Sequence, residues 1–123
     1  MKAARLTAPK HFEFIDVEQP LALDGECLVK LERVSVCGSD IRHHYGPIKD
    51  ESAYPMDPGL PCHELAGVVV ESRTDRIQEG QRVIVIARPG TGGLQEYIVS
   101  DPGRMIMLPE QGPIDEWLMC QPS

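Results

Sequence analysis

Pro61-Cys62-His63-Glu64-Leu65-Ala66-Gly67-Val68-Val69-Val70-Glu71 joins two kinds of residue in one stretch. Leu65 to Val70 is a continuous apolar run, typical of a buried strand. Directly before it stand an imidazole, His63, and a carboxylate, Glu64. A second apolar segment, Leu28 to Val36, ends on Cys37-Gly38-Ser39-Asp40 and so places a thiol where another strand meets a turn. Zinc favours four-coordinate sites of nitrogen, sulfur and oxygen donors, and catalytic sites leave one position for water. Cys37, His63 and Glu64 are therefore candidate ligands in one half of a catalytic zinc site.

Outward from that stretch the chain reads as short strands and turns. Leu28 to Val36 alternates loosely, and its period slips at Glu32-Arg33, which predicts a bend or bulge there. Met1 to Leu6 and Phe12 to Val17 are strand candidates on either side of the Ala8-Pro9-Lys10 turn. Arg82 to Ile86 follows the turn at Gln78 to Gln81. Leu94 to Val99 and Met105 to Leu108 are separated by Asp101-Pro102-Gly103. Frequent turns between short strands indicate a mainly β chain, a barrel or a sandwich. Two short peripheral helices are expected. Ser39 or Asp40 would cap one through Arg42, His43 and His44, and Ile114 to Cys120 has helical spacing with Asp115 and Glu116 in its first turn. Pro47 to Pro61 is a long loop, and loops of that length are usually functional or mobile. Pro89 to Gly93 reads as a flexible loop.

The chain has 123 residues, enough for one domain with a core. Hydrophobic residues make up 41% and charged residues 25%, as in ordinary globular domains. Twelve basic residues against nineteen acidic ones give a net charge of −7, which argues against nucleic acid or an anionic membrane as partner. The first residues carry no long apolar segment, so neither a signal peptide nor a membrane span is expected. The four cysteines, Cys27, Cys37, Cys62 and Cys120, show no CxxC spacing. Without a secretory signal they read as reduced thiols in a cytoplasmic protein.

Each candidate has an ordinary reading when taken singly. Cys37 alone would be a buried thiol acting as a small hydrophobe. His63 alone would be a satisfied histidine, and Glu64 a solvated strand residue. Cys62 adjoins His63, but neighbours on an extended strand point to opposite faces, so Cys62 is read as structural. The same alternation would turn Glu64 away from His63 unless the chain bends there. Ser39 would cap a helix or accept and pass on an alcohol proton, or do both. Arg42, His43 and His44 would form a solvated helix face; their functional reading is a proton relay or a contact to an anionic cofactor. The glycine-rich loop before Leu94 lacks a P-loop pattern, and no GxGxxG occurs, so this stretch of chain is not expected to bind a nucleotide by itself.

Taken together, four motifs resemble the medium-chain, zinc-dependent alcohol and polyol dehydrogenases. They are Val36-Cys37-Gly38-Ser39-Asp40, Pro61-Cys62-His63-Glu64-Leu65-Ala66-Gly67-Val68-Val69, Glu79-Gly80-Gln81-Arg82-Val83 and Gly93-Leu94-Gln95-Glu96-Tyr97, in the family's order. The resemblance covers residues 1–123 and implies the family's N-terminal GroES-like β-barrel, the part that holds zinc and substrate. It implies that Cys37 and His63 are zinc ligands and that Glu64 is either a ligand or a carboxylate just outside the ligand set. Ser39 would start the proton relay; Arg42, from its own cluster, is the candidate contact to an anionic cofactor. Gln121 falls on the family's remaining ligand position, but a neutral amide is a poor zinc ligand. Either its neighbour Cys120 takes over, or a water and Glu64 complete the site. Cys62 stands where the family usually has glycine, which places the local turn in question and could add a ligand. No cysteine lobe lies between Ile86 and Gly93, so no structural zinc is expected.

The resemblance further implies a zinc- and NAD(P)-dependent oxidation of a small alcohol or polyol by a homo-oligomer when full length. The nucleotide-binding Rossmann domain would follow Ser123, so the chain alone is expected to be inactive. Two other readings stand beside this one. The first is a metal-free GroES-like domain used for binding or assembly. The second is a zinc-free quinone or enoyl reductase relative, against which the joint presence of Cys37, His63 and Glu64 argues.

Overall fold

The structure is a computed structural model that describes residues 1–8, 10–36, 54–60, 62–88, 91–109 and 112. Its centre is the apolar run. β4 (Glu64–Ser72) lies between β3 (Cys27–Ser35) and β5 (Arg82–Ile86), with β6 (Tyr97–Ser100) outside β3 and β7 (Met105–Met107) outside β5. Every pairing in this five-stranded sheet is antiparallel. β1 (Lys2–Ala8) and β2 (His11–Asp16) form a separate hairpin.

The core explains why β4 does not alternate. Leu65 and Val69 are buried with Cys27, Val29, Val83, Val85 and Ile98, and Ile77 closes the cluster from the loop beyond β4. Ala66, from the opposite face of the strand, is buried in a second cluster with Ile84, against which Leu108 packs. A strand covered on both faces needs apolar residues at consecutive positions.

The slip read at Glu32-Arg33 is present as a shift in register. Leu31 pairs with Gly67 and Arg33 with Ala66, so Glu32 is the extra residue. Across from this bulge a Cβ at Gly67 would meet the carbonyl oxygen of Lys30 and come within 3.0 Å of the Leu31 Cα. Glycine is required here by the close approach of β3. A second shift lies between Leu28 and Val29, and leaves Val70 on β4 unmatched and 41% exposed.

The remaining connections close the structure only partly. The N–H of Ala4 donates to Leu94 at 2.7 Å, that of Glu96 to Lys2 at 3.2 Å and that of Leu31 to Glu96 at 2.9 Å. The 94–96 segment thus links β1 to β3, with a single bridge from Ala3 to Gln95. The expected barrel is therefore open: among the described residues no hydrogen bonds join β2 to β7. The strand expected over Leu94 to Val99 is displaced to Tyr97–Ser100 for the same reason. Leu94 and Glu96 bond to different neighbours, so they form no regular ladder. The described helical structure is one 3-10 turn, Pro102–Arg104. Both expected peripheral helices, near Arg42 and over Ile114 to Cys120, lie outside the described residues. Among the described residues no helix is long and apolar enough to cross a membrane.

Beyond β5 the chain turns back under the core. Ala87 packs against the main cluster. Arg88 then reaches Glu26 at 2.6 Å and Asp101 at 3.1 Å. The other oxygen of Glu26 accepts the Leu23 N–H at 2.8 Å. This backbone bond and then Arg88 hold the Glu26 carboxyl below its ordinary range, while burial opposes them. Arg88 is correspondingly raised, chiefly by its hydrogen bond to Glu26.

Two predictions follow from the packing and the ion pair. Gly67→Ala is expected to destabilise the fold by about 1–3 kcal/mol, since β3 must move to admit the methyl group; urea unfolding measures this, and unchanged stability would refute the close approach. Glu26→Gln is expected to lower stability at neutral pH. A lowered folded-state pKa stabilises above the ordinary value of 4.5 and loses that effect as pH falls through the lowered one. The gap in unfolding free energy between wild type and Glu26→Gln should therefore narrow as pH drops below 4.5, and a gap that widened would contradict the ion-pair account.

Candidate functional site

The site is built where the central strand begins. Glu64, the first residue of β4, pairs with Ser35, the last of β3, and with Ile86, the last of β5. The described part of this connection runs on to Val36, the residue before Cys37. The register therefore brings the end of β3 to the end of the sheet at which His63 and Glu64 stand. A shift of one residue would turn Glu64 to the other face.

The approach to β4 is fixed by glycine contacts. The Cys62 carbonyl accepts the Gly93 N–H at 2.7 Å, and a Cβ on Gly93 would collide with the Leu65 side chain. A Cβ on Gly92 would collide with the Gly59 carbonyl, and Gly59 itself has φ +92°. The Gly59 carbonyl accepts the Leu94 N–H at 2.9 Å, and Gln95 Nε2 donates to the Gly92 carbonyl at 2.7 Å. The segment before His63 is thus clasped to the 92–95 loop. The expectation of a flexible loop over Pro89 to Gly93 is corrected for Gly92 and Gly93: both are buried, because backbone-to-backbone packing demands residues without side chains. Sequence reading missed this clasp, and the signal was the pairing of Gly59 with Gly92-Gly93 around the ligand stretch.

Strand geometry starts at Glu64, so His63 lies just outside it and the two side chains are not bound by strict alternation. His63 is half-buried. Glu64 is 9% exposed, and its carboxylate has no hydrogen bond or ion pair with the described residues. Cys62 is 2% exposed and forms no disulfide, in keeping with its structural reading. Cys37, Ser39, Arg42 and Cys120, with Gln121, lie outside the described residues. Among the described residues no group of three or more His, Cys, Asp or Glu is gathered in one place. A cavity of about 330 Å³, lined in part by Met1, Val17, Arg88 and Gln95, includes neither His63 nor Glu64.

The chemistry of this pair suits a cation. Imidazole and carboxylate are both ordinary zinc donors. The described residues therefore fit two positions of a zinc site.

Residues 23–110 match the alcohol dehydrogenase GroES-like domain family. The chain is 35% identical over 116 residues to an alcohol dehydrogenase of Geobacillus stearothermophilus, an alignment covering 90% of this chain and 32% of that protein. It is 31% identical over 94 residues to erythritol/L-threitol dehydrogenase of Mycolicibacterium smegmatis, covering 68% of this chain and 26% of the other. The fold superposes with a TM-score of 0.66 on glucose dehydrogenase of Haloferax mediterranei, solved in complex with NADP, Zn and gluconolactone, at 22% identity over 89% of this chain and 39% of that one. The chain thus spans about a third or less of the length of these two sequence relatives. These matches make the chain a member of the alcohol dehydrogenase GroES-like domain family.

Proposed function

We propose that residues 1–123 form the metal-holding and substrate-facing domain of a zinc-dependent, NAD(P)-using alcohol or polyol dehydrogenase. The observation that carries this reading is the pairing of Ser35 with Glu64, which leads the chain from β3 toward Cys37 at the sheet end where His63 and Glu64 stand. The near-complete burial of Glu64 at the start of β4 supports it further.

In this reading Cys37, His63 and Glu64 hold the zinc, and Cys120 or its neighbour Gln121 completes or borders the set. When bound, zinc polarises an alcohol hydroxyl and lowers its pKa. Cys37 would bind as a thiolate and His63 through the lone pair of a neutral imidazole. Ser39 Oγ accepts the substrate proton and passes it toward solvent. Arg42 meets the anionic part of the cofactor. The clasp between Gly59 and Gly92 keeps the backbone before His63 in place, so His63 is oriented before any ligand arrives. The nicotinamide is held mainly by a nucleotide-binding domain beyond these residues, and the 123-residue chain alone does not turn over substrate. The whole protein is assigned to the cytoplasm.

The second reading is a metal-free GroES-like domain used for binding or assembly. Metal content separates the readings. The purified chain, equilibrated with zinc and freed of excess, is expected to retain zinc by elemental mass spectrometry. His63→Ala and Cys37→Ser should each weaken retention by roughly tenfold or more. Absence of zinc in the wild-type chain, or equal retention by the variants, would favour the metal-free reading.

A further inference from the structure

Arg88 stands where β5 leaves the central strand. The last rung of that ladder sets Ile86 opposite Glu64, after Val85 opposite Leu65. Continuing the same antiparallel register by two residues would put Arg88 opposite Cys62. The chain takes another course. Arg88 turns to Glu26 and Asp101, at 2.6 and 3.1 Å, and the Cys62 carbonyl accepts the Gly93 N–H instead, at 2.7 Å. The segment from Ile86 to Gly93 thus leaves β4 at Glu64 and meets the same chain again at Cys62, with His63 between the two contacts.

This return is fastened at Arg88 in two ways. Its side chain reaches the residue before β3 and the residue after β6, since Glu26 precedes Cys27 and Asp101 follows Ser100. Cys27 and Ser100 pair with each other, so both carboxylates come from one end of the β3–β6 ladder. The Arg88 carbonyl accepts both the Thr91 N–H, at 3.0 Å, and the Thr91 hydroxyl, at 2.7 Å. Gly92 and Gly93 follow Thr91 directly. The side chain of Arg88 is 33% exposed and that of Glu26 16%, so this pair is less screened than one on the open surface.

We propose that Arg88 is a positioning residue for the metal site: its ion pairs set the carbonyl on which Thr91 rests, and through Thr91 the place where Gly93 holds the backbone before His63. For the ligand role of His63 this rests on the zinc reading above; the backbone contact does not depend on it. A single nitrogen, Nη2, meets both carboxylates. Without that cation Glu26 and Asp101 repel one another, and the chain after Ile86 loses the attraction that draws it off the β4 ladder. Thr91 then has no fixed carbonyl to rest on, and Gly93 approaches Cys62 less often.

Two readouts on the 123-residue chain test this. Amide exchange followed by NMR reads the Gly93 N–H in the metal-free chain. Arg88→Met is expected to speed it roughly fivefold or more, while amides of the β3–β4 ladder keep their wild-type rates. Arg88→Lys should restore most of the protection, because one nitrogen makes both contacts. Competition with a zinc chelator reads the metal: Arg88→Met should weaken zinc retention severalfold, and Arg88→Lys should recover it. Should Arg88→Met fail to fold, Thr91→Val removes only the hydroxyl bond to the Arg88 carbonyl and reads the same amide. Unchanged Gly93 exchange in the folded variant, exchange that rises equally throughout the sheet, or zinc retention by Arg88→Met equal to that of a zinc-holding wild type would each overturn the proposal. A wild-type chain that holds no zinc overturns the zinc reading instead, and the Gly93 amide then decides the backbone contact by itself.

Discussion

The pairing of β3 with β4 is the constraint on which the rest of the structure depends. It sets the two longest strands of the sheet side by side and brings Ser35 opposite Glu64. Two register shifts lie within it, each adding one residue to one strand and bending the ladder. The bulge at Glu32 and the missing side chain at Gly67 face each other, so the bend and the close approach are one feature. With a different residue at position 67 the strands would part, and the end of β3 would no longer arrive beside His63. The geometry of the site therefore depends on a steric fact three residues away from its nearest candidate ligand.

Glycine also governs the other side of the site. Gly59, Gly92 and Gly93 allow two loops to touch through their backbones, and the bonds between them end on the Cys62 carbonyl. The contacts of the resulting clasp are short, buried and mostly main chain to main chain. Cys62 takes part through its carbonyl, while its side chain packs inward at 2% exposure. This shows how a cysteine can stand in the family's glycine position within the described fold. It fills buried space and leaves the path of the backbone to be set by Gly93.

Much of this was legible in the sequence, and the limits have physical causes. The apolar run from Leu65 identified the central strand because burial on both faces leaves a pattern that local reading can detect. The slip at Glu32-Arg33 was visible because a bulge breaks the two-residue period. Closure of the barrel was not legible. It depends on how β1 meets residues 94–96, and those residues bond in turn to β1, β3 and Gly59, which no local period records. The same long-range bonding shortened the strand expected from Leu94. The compact role of Gly92-Gly93 was missed because glycine clusters carry the same local signal whether they flex or pack. Of the site, His63 and Glu64 could be placed beside a strand start, but their neighbours across the sheet came only from the register.

The position of the His63-Glu64 pair at a strand boundary has a consequence for what it can bind. Within a strand, adjacent side chains diverge to opposite faces and cannot share an ion. Within a loose loop they could converge, but holding them there would cost conformational entropy at each binding event. Here Glu64 is held by the ladders to Ser35 and Ile86, whereas His63 is outside the strand yet preceded by a backbone clasped to Gly93. One candidate donor is held by the sheet and the other by the loop contact. Both constraints are met before any metal is present. That arrangement leaves the positioning of the two residues to the register and the glycines.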